Sequence, residues 1–305
     1  MVHARRWTLH GSRDLRLERV ELAAPGPGQV LVETCLSAVS VASELSVYLG
    51  RVTPDSLPHS LGYQSLGRVQ EVGPGVTDLI SGQRVVSTWG HASHALVQGE
   101  RLMPVPEGVP DRLALAVILG EESMKGIRKL ALPPGSEVLV TGAGLLGLLS
   151  VFNLTRRGHR AFVREPVPAR RDLARRFGAT EAAGEKRLHF ALECSASPAG
   201  FQELLESLRP GGRVVVLSDG NWGTLGLSPA FHRRELTVMA SSDGEDYPAY
   251  ARWLWPHADP LLEELFGASL PASALAFVLP ALDKDPQRPV SVVLDWGNQS
   301  WGHQN

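Results

Sequence analysis

The chain has 305 residues, 43% hydrophobic and 20% charged, which is enough for two packed domains and too apolar for a disordered chain. Its 30 basic and 32 acidic residues are interspersed and sum to -2, so no global field attracts nucleic acid or an anionic membrane. Cys35 and Cys194 are too few for a disulfide framework, no apolar run reaches the roughly 18 residues of a membrane span, and the first residues lack an apolar signal core. A soluble, cytoplasmic protein is expected.

The first third reads as short strands, Gln29–Glu33, Gly67–Val72 and Arg84–Ser87, separated by the turns Pro25-Gly26-Pro27-Gly28, Gly73-Pro74-Gly75 and Ser81-Gly82. After Pro133-Pro134-Gly135 the rhythm changes. Apolar strands at Glu137–Thr141, Arg160–Arg164, Phe190–Glu193, Arg213–Leu217 and Leu236–Ala240 alternate with helices at Leu145–Arg157, Ala169–Phe177 and Ala199–Leu208. That alternation is the signature of βαβ units and a parallel sheet. The last two helices are expected to stop at Gly178 and Pro210. Further helices are expected from Pro248 to Leu254 and from Pro260 to Phe266, and a late strand at Val290–Asp295. The basic clusters Arg156-Arg157, Arg170-Arg171 and Arg175-Arg176 read as solvated helix faces.

One motif carries chemistry by its context. Gly142-Ala143-Gly144-Leu145-Leu146-Gly147 follows the Glu137–Thr141 strand and opens a helix. Gly142 permits the tight turn, Gly144 lets backbone approach a pyrophosphate, and Gly147 lets helix and strand pack closely. The helix start at Leu145 and Leu146 offers unpaired N–H groups and a positive dipole end to phosphate. About 20 residues on, Glu165 ends the next strand, where a carboxylate accepts from ribose hydroxyls and repels a 2′-phosphate. NAD is the expected cofactor, with NADP possible because Arg164, Arg170 and Arg171 stand near enough to offer a phosphate a competing site.

The chain resembles the medium-chain dehydrogenase/reductase superfamily over nearly its whole length. The resemblance rests on Pro25-Gly26-Pro27-Gly28-Gln29-Val30-Leu31-Val32, on Gly67-Arg68-Val69 through Gly73-Pro74-Gly75-Val76 and Gly82-Gln83-Arg84-Val85, and on Leu208-Arg209-Pro210-Gly211-Gly212-Arg213-Val214-Val215. Val39–Glu44 and Phe231–Thr237 look closest to a branch that includes bacteriochlorophyllide dehydrogenase-like proteins. The resemblance implies an α/β fold: a GroES-like β-rich catalytic domain of residues 1–120 and 244–305, and a Rossmann-type, doubly wound parallel-sheet cofactor domain of residues 121–243. Only nine residues separate Thr180 from Phe190, so one peripheral helix of the family is expected to be missing.

Zinc-dependent members carry a Cys in Cys-x-Thr-Asp, a His-Glu pair in Gly-His-Glu, and a third ligand where the second domain begins. The matching positions here are Val41 in Val41-Ala42-Ser43-Glu44, Tyr63 and Gln64, and the neighbourhood of Gly120-Glu121-Glu122. Valine cannot ligate zinc, and tyrosine and glutamine are poor substitutes, so no metal is expected. His59, His91 and His94 read as surface or hydrogen-bonded histidines rather than a replacement site. Between Trp89 and Leu96 there is no cysteine for a structural zinc lobe.

Hydride transfer without zinc still needs an oxyanion stabiliser and a proton source. Tyr63 is the first candidate, followed by Ser43, Glu44 and Glu122, with Ser40 and Gln64 also in reach of the expected cleft. The functional expectation is a zinc-independent NAD(P)-dependent oxidoreductase acting on a small organic carbonyl, alcohol or enone. The alternatives are a non-catalytic dinucleotide-binding protein and a zinc alcohol dehydrogenase with atypical ligands. Leu236–Ala240 is an apolar edge with no charge or proline, and pairing of two copies along it into a homodimer is expected. The competing possibility is that the chain's own C-terminal segment near Trp296 and Trp301 covers that edge.

Overall fold

The computed structural model describes residues 1–182, 187–218, 223–267, 269–285 and 287–297. The chain divides into two compact units, Met1–Ile118 with Ala251–Asn305, and Leu119–Tyr250.

In the first unit the organising element is the twelve-residue strand Gln29–Ser40, seven residues longer than its apolar core suggests. Its Val30 and Val32 side chains are fully buried and join Val69, Val85 and Val97 in one core, and Leu31 between them is buried as well. Register breaks between Leu31 and Val32 and between Thr34 and Leu36 bend the strand. The bend lets its first half pair with His94–Gln98 and its second half with Ser291–Asp295. The strand delivers Ser40 to the helix Val41–Tyr48. A separate antiparallel sheet places Val2–Gly11 between Asp14–Leu22 and His59–Ser60.

The second unit is a six-stranded sheet whose neighbours are all parallel. In order across the sheet come Thr180–Glu181, Arg160–Arg164, Glu137–Thr141, Leu188–Glu193, Leu208–Val216 and Thr237–Ala240. Numbered by appearance, that order is 3-2-1-4-5-6, with the topological switch between Glu137–Thr141 and Leu188–Glu193. The helix Leu145–Arg156 starts at that switch, where open α/β sheets bind their ligands.

Several elements differ from expectation for physical reasons. Strand 3 connects to strand 4 through residues 182–187, and the expectation of a missing peripheral helix falls there, on residues 183–186 outside the described ones. Pro210 falls inside the Leu208–Val216 strand, in an irregular stretch where Gly211 has φ +70°, and the preceding helix ends at Glu206. The helix Val117–Leu130 was hidden by Gly120 and Gly126. A Cβ at Gly120 would lie 2.5 Å from Tyr250 Oη, and one at Gly126 would lie 2.6 Å from Leu217, so both glycines are there for close packing. The helix Leu275–Lys284 was hidden by its internal Pro280. Segment Pro260–Leu265 is helical only as a 3-10 stretch.

Candidate active site

At the end of the Glu137–Thr141 strand the three glycines of the motif separate into two kinds. Gly142 has φ +83°, and a Cβ there would lie 2.7 Å from Ser195 Cα. A Cβ at Gly147 would fall 2.0 Å from the Gly142 carbonyl oxygen, so no side chain fits between helix and strand. Gly144 is the opposite case. Its φ is -71°, and a Cβ would meet nothing within 4 Å. The fold therefore demands glycine at 142 and 147 but not at 144, where the open space lies at the start of the Leu145–Arg156 helix. No side chain caps that helix start, which leaves its first N–H groups for a ligand.

Glu165 is buried against this loop. One carboxylate oxygen accepts from Ala143 N at 2.7 Å and the other from Val167 N at 2.9 Å. An ionised carboxylate has about four acceptor positions, so two remain for ribose hydroxyls. Arg171 donates to the Glu165 and Pro166 carbonyls, each at 2.8 Å. Arg164 turns away to Ser207 Oγ and the Glu203 carbonyl. Of the cations expected to compete for a phosphate, these two are already engaged.

Glu193 was not singled out from the sequence. It ends the Leu188–Glu193 strand, is fully buried, and accepts from Ser195 N at 2.7 Å, Ala196 N at 3.1 Å and the hydroxyls of Ser195 and Ser218. Ala196 has φ +54°, so the carboxylate holds a strained turn against which Gly142 packs. An acid ending an apolar strand was the available signal. Cys194, next to it, is half-buried, and desolvation followed by the Glu193 charge drives its thiol pKa upward, away from the reactive thiolate.

In the first unit, Val41 is buried and opens the Val41–Tyr48 helix, with Ser43 half-buried one turn in. Glu44 is buried and fully committed: it accepts from Ser40 N and pairs with His91 Nε2, both at 2.8 Å. His91 is buried too, its Nδ1 2.8 Å from Ser37 Oγ. Tyr63 is half-buried, and Gln64 beside it is fully buried. His94 is half-buried with its pKa lowered by burial, and His59 pairs through its backbone with Leu9. A zinc ion does not fit these residues: the first ligand position is an apolar valine and both His91 nitrogens are spent. Among the described residues no group of three or more His, Cys, Asp or Glu could hold a metal.

Glu122 lies on the Val117–Leu130 helix in the second unit. Burial, then the charges of Asp243 and Glu121, push its carboxyl up to about 8, partly offset by Lys125 and by a hydrogen bond from Tyr247. The Tyr247 hydroxyl accepts from Gly244 N at 2.8 Å, and its own pKa rises to about 12 through burial and the nearby Glu122. The adjacent Glu121 is buried and paired with Arg128 at 2.6 Å, and it also accepts from Glu245 N and Asp246 N. Sequence reasoning found Glu122 but not Tyr247, because a distant helix brings it in.

Residues 26–109 match the alcohol dehydrogenase GroES-like domain. The L-threonine 3-dehydrogenase of Thermococcus kodakarensis is 27% identical over 259 residues, 66% of this chain and 71% of that protein. The 2-desacetyl-2-hydroxyethyl bacteriochlorophyllide A dehydrogenase of Cereibacter sphaeroides is 27% identical over 316 residues, 94% of this chain and 96% of that one. The matched domain and these relatives are of the medium-chain dehydrogenase/reductase superfamily, to which the chain is similar. Its fold matches that of the Geotrichum candidum acetophenone reductase, solved in complex with NAD, with a TM-score of 0.83 at 21% identity, covering 96% of this chain and 97% of that one. Among the described residues no helix is long and apolar enough to cross a membrane.

Proposed function

We propose that this protein is an NAD(P)-dependent oxidoreductase that exchanges a hydride with a small organic carbonyl, alcohol or enone, and that it works without zinc. The observation that carries the reading is the division among the glycines: two are required by packing, and the third faces open space at a free helix N-terminus. When bound, the dinucleotide supplies the hydride; the chain supplies binding, orientation and proton handling.

Gly144 and the amides of Leu145 and Leu146 hold the pyrophosphate, and Glu165 takes the adenosine ribose hydroxyls, with NAD preferred over NADP. Zinc independence is supported by Val41 in the first ligand position and by the commitment of His91 to Ser37 and Glu44. Tyr63 and Ser43 are the hydroxyl donors near the vacated metal position. Glu44 is a positioning residue, since both its oxygens are engaged. Glu122, whose pKa lies near 8, is a carboxyl able to hold a proton at neutral pH. We also propose a cytoplasmic homodimer paired along Thr237–Ala240. Its second edge has no strand partner among the described residues, and Trp296 is engaged with Cys35 and Ser37 rather than with this strand. Trp301 lies outside the described residues.

The test uses the glycines themselves. Gly144→Val is expected to keep the melting temperature of the wild type and lose NADH affinity, whereas Gly147→Ala loses both. If Gly144→Val binds NADH as tightly as the wild type, the cofactor reading fails. Turnover of L-threonine with NAD, and of acetophenone with NADH, tests the chemistry. Tight NADH binding with no turnover across a panel of aldehydes, ketones and quinones would favour a non-catalytic dinucleotide-binding protein.

A further inference from the structure

The polar groups around the vacated metal position are satisfied with one exception. The Trp296 indole donates to Ser37 Oγ at 2.9 Å, and because an indole can only donate, the Ser37 proton is free for His91 Nδ1. The His91 proton then sits on Nε2 and points to Glu44, whose other oxygen holds the Ser40 amide. His91 also fixes the neighbouring loop. Its backbone N–H donates to the Leu61 carbonyl at 2.8 Å, and its ring lies so near Gly62 that a Cβ there would be 2.7 Å from Cγ. Next along that loop, the Gln64 carbonyl accepts from Ala38 N at 2.8 Å, and Ser65 Oγ donates to the Gly90 carbonyl at 2.9 Å.

Within this tied framework stands the Gln64 side chain. It is fully buried, and neither its carboxamide nitrogen nor its oxygen has a hydrogen-bond partner. A methionine of the same length would fill the same space without the desolvation cost, so the unpaired carboxamide is a cost that packing does not offset. Gln64 also stands where zinc-binding members place the Glu of Gly-His-Glu, and its backbone is bonded to Ala38, three residues before Val41 at the other ligand position.

We propose that the Gln64 carboxamide is the recognition group for the reacting oxygen of the substrate, at the position where zinc-binding members carry the Glu of Gly-His-Glu. The inference rests on the oxidoreductase reading above and names the residue that meets the substrate. A carboxamide suits this task because its NH₂ donates to a carbonyl oxygen and its C=O accepts from a hydroxyl. The same side chain therefore serves both members of a ketone and secondary-alcohol couple, with no net proton gained or lost by the glutamine. The ligand class is a small ketone, aldehyde or secondary alcohol.

The test is NMR of protein labelled with ¹⁵N in glutamine side chains, with the Gln64 signal assigned by its absence in Gln64→Met and, independently, in Gln64→Leu. Saturating NADH is added first, then acetophenone or 1-phenylethanol. The Gln64 carboxamide signal is expected to move with each probe. Gln64→Met is expected to melt at a higher temperature than the wild type, to bind NADH unchanged, and to bind acetophenone at least about tenfold more weakly, the worth of one good hydrogen bond. A signal unmoved by both probes in the NADH complex overturns the inference and leaves the cofactor reading standing. So does a variant that binds acetophenone like the wild type. Failure of the wild type to bind NADH overturns the oxidoreductase reading and this inference with it.

Discussion

Replacing Glu122 by glutamine is expected to change the pH dependence of stability in a calculable way. The folded chain holds this carboxyl near 8, mainly through burial and then through Asp243 and Glu121, against an ordinary value of 4.5. A raised acid pKa means that the folded state keeps a proton which the unfolded state has lost. Its stabilising contribution is complete below pH 4.5, declines by about 1.4 kcal/mol per pH unit above that, and is gone above pH 8. The full span corresponds to roughly 5 kcal/mol, an upper figure given the coupling to two neighbouring acids. Glutamine has the same shape and stays neutral, so the variant lacks this slope. Urea denaturation of both proteins at half-unit steps from pH 5 to pH 9 measures the difference, and every titrating group not coupled to Glu122 cancels in the comparison. The glutamine variant is expected to gain on the wild type steadily between pH 5 and 8 and to hold its advantage above. Parallel curves would refute the reasoning, because Glu122 would then be ionised in the folded chain at neutral pH.

Three further outcomes are expected. The purified protein should contain substoichiometric zinc and keep its melting temperature and NADH affinity in a chelator, whereas loss of either would reveal a metal site. NADH should bind roughly tenfold more tightly than NADPH, and Glu165→Ser should level the two. That variant should also melt earlier, because it frees the Ala143 and Val167 amides, and equal affinities in the wild type would assign the pocket to its arginines instead. Light scattering at micromolar protein should give a dimer, and Val238→Pro should give a monomer with its circular dichroism largely kept; a monomeric wild type would exclude pairing along Thr237–Ala240.

The cofactor half of the molecule was legible because its signals are local. A strand, a glycine turn and a helix follow one another in the sequence, and the strands Glu137–Thr141 and Arg160–Arg164 match their expected bounds residue for residue. What escaped was set by distant partners. The glycines of Val117–Leu130 look like helix breakers until Tyr250 and Leu217 are seen packed against them. The hairpin of Val2–Gly11 and Asp14–Leu22 turns through Ser12 and Arg13, the latter at φ +62°, while the adjacent Gly11 pairs with Asp14 and neither central turn residue is a glycine or asparagine. At the candidate site, Tyr63, Gln64 and Glu44 were found by their place in a motif, but their states were not. Whether the buried Glu44 carboxylate is committed depends on His91, 47 residues away, which is itself set by Ser37, 54 residues from it, and through Ser37 by Trp296, 259 residues further off.

Those states bear on how a metal can be lost from such a framework. A metal ion ties several segments together, and removing its ligands alone would leave buried donors unpaired and the segments free to separate. Here the helix start at Ser40–Glu44 and the loop at Leu61–Ser65 are both bonded to His91, through its side chain to Glu44 and through its backbone to Leu61. These are the two segments that carry the first and second ligand positions. These bonds join the two segments through the protein's own groups, and the unpaired polar side chain beside them is Gln64. A chain under selection for stability alone would replace that glutamine, since burying an apolar residue of equal size is cheaper. An unpaired carboxamide beside segments whose other hydrogen bonds are made is the feature that the proposed contact with a substrate oxygen would explain.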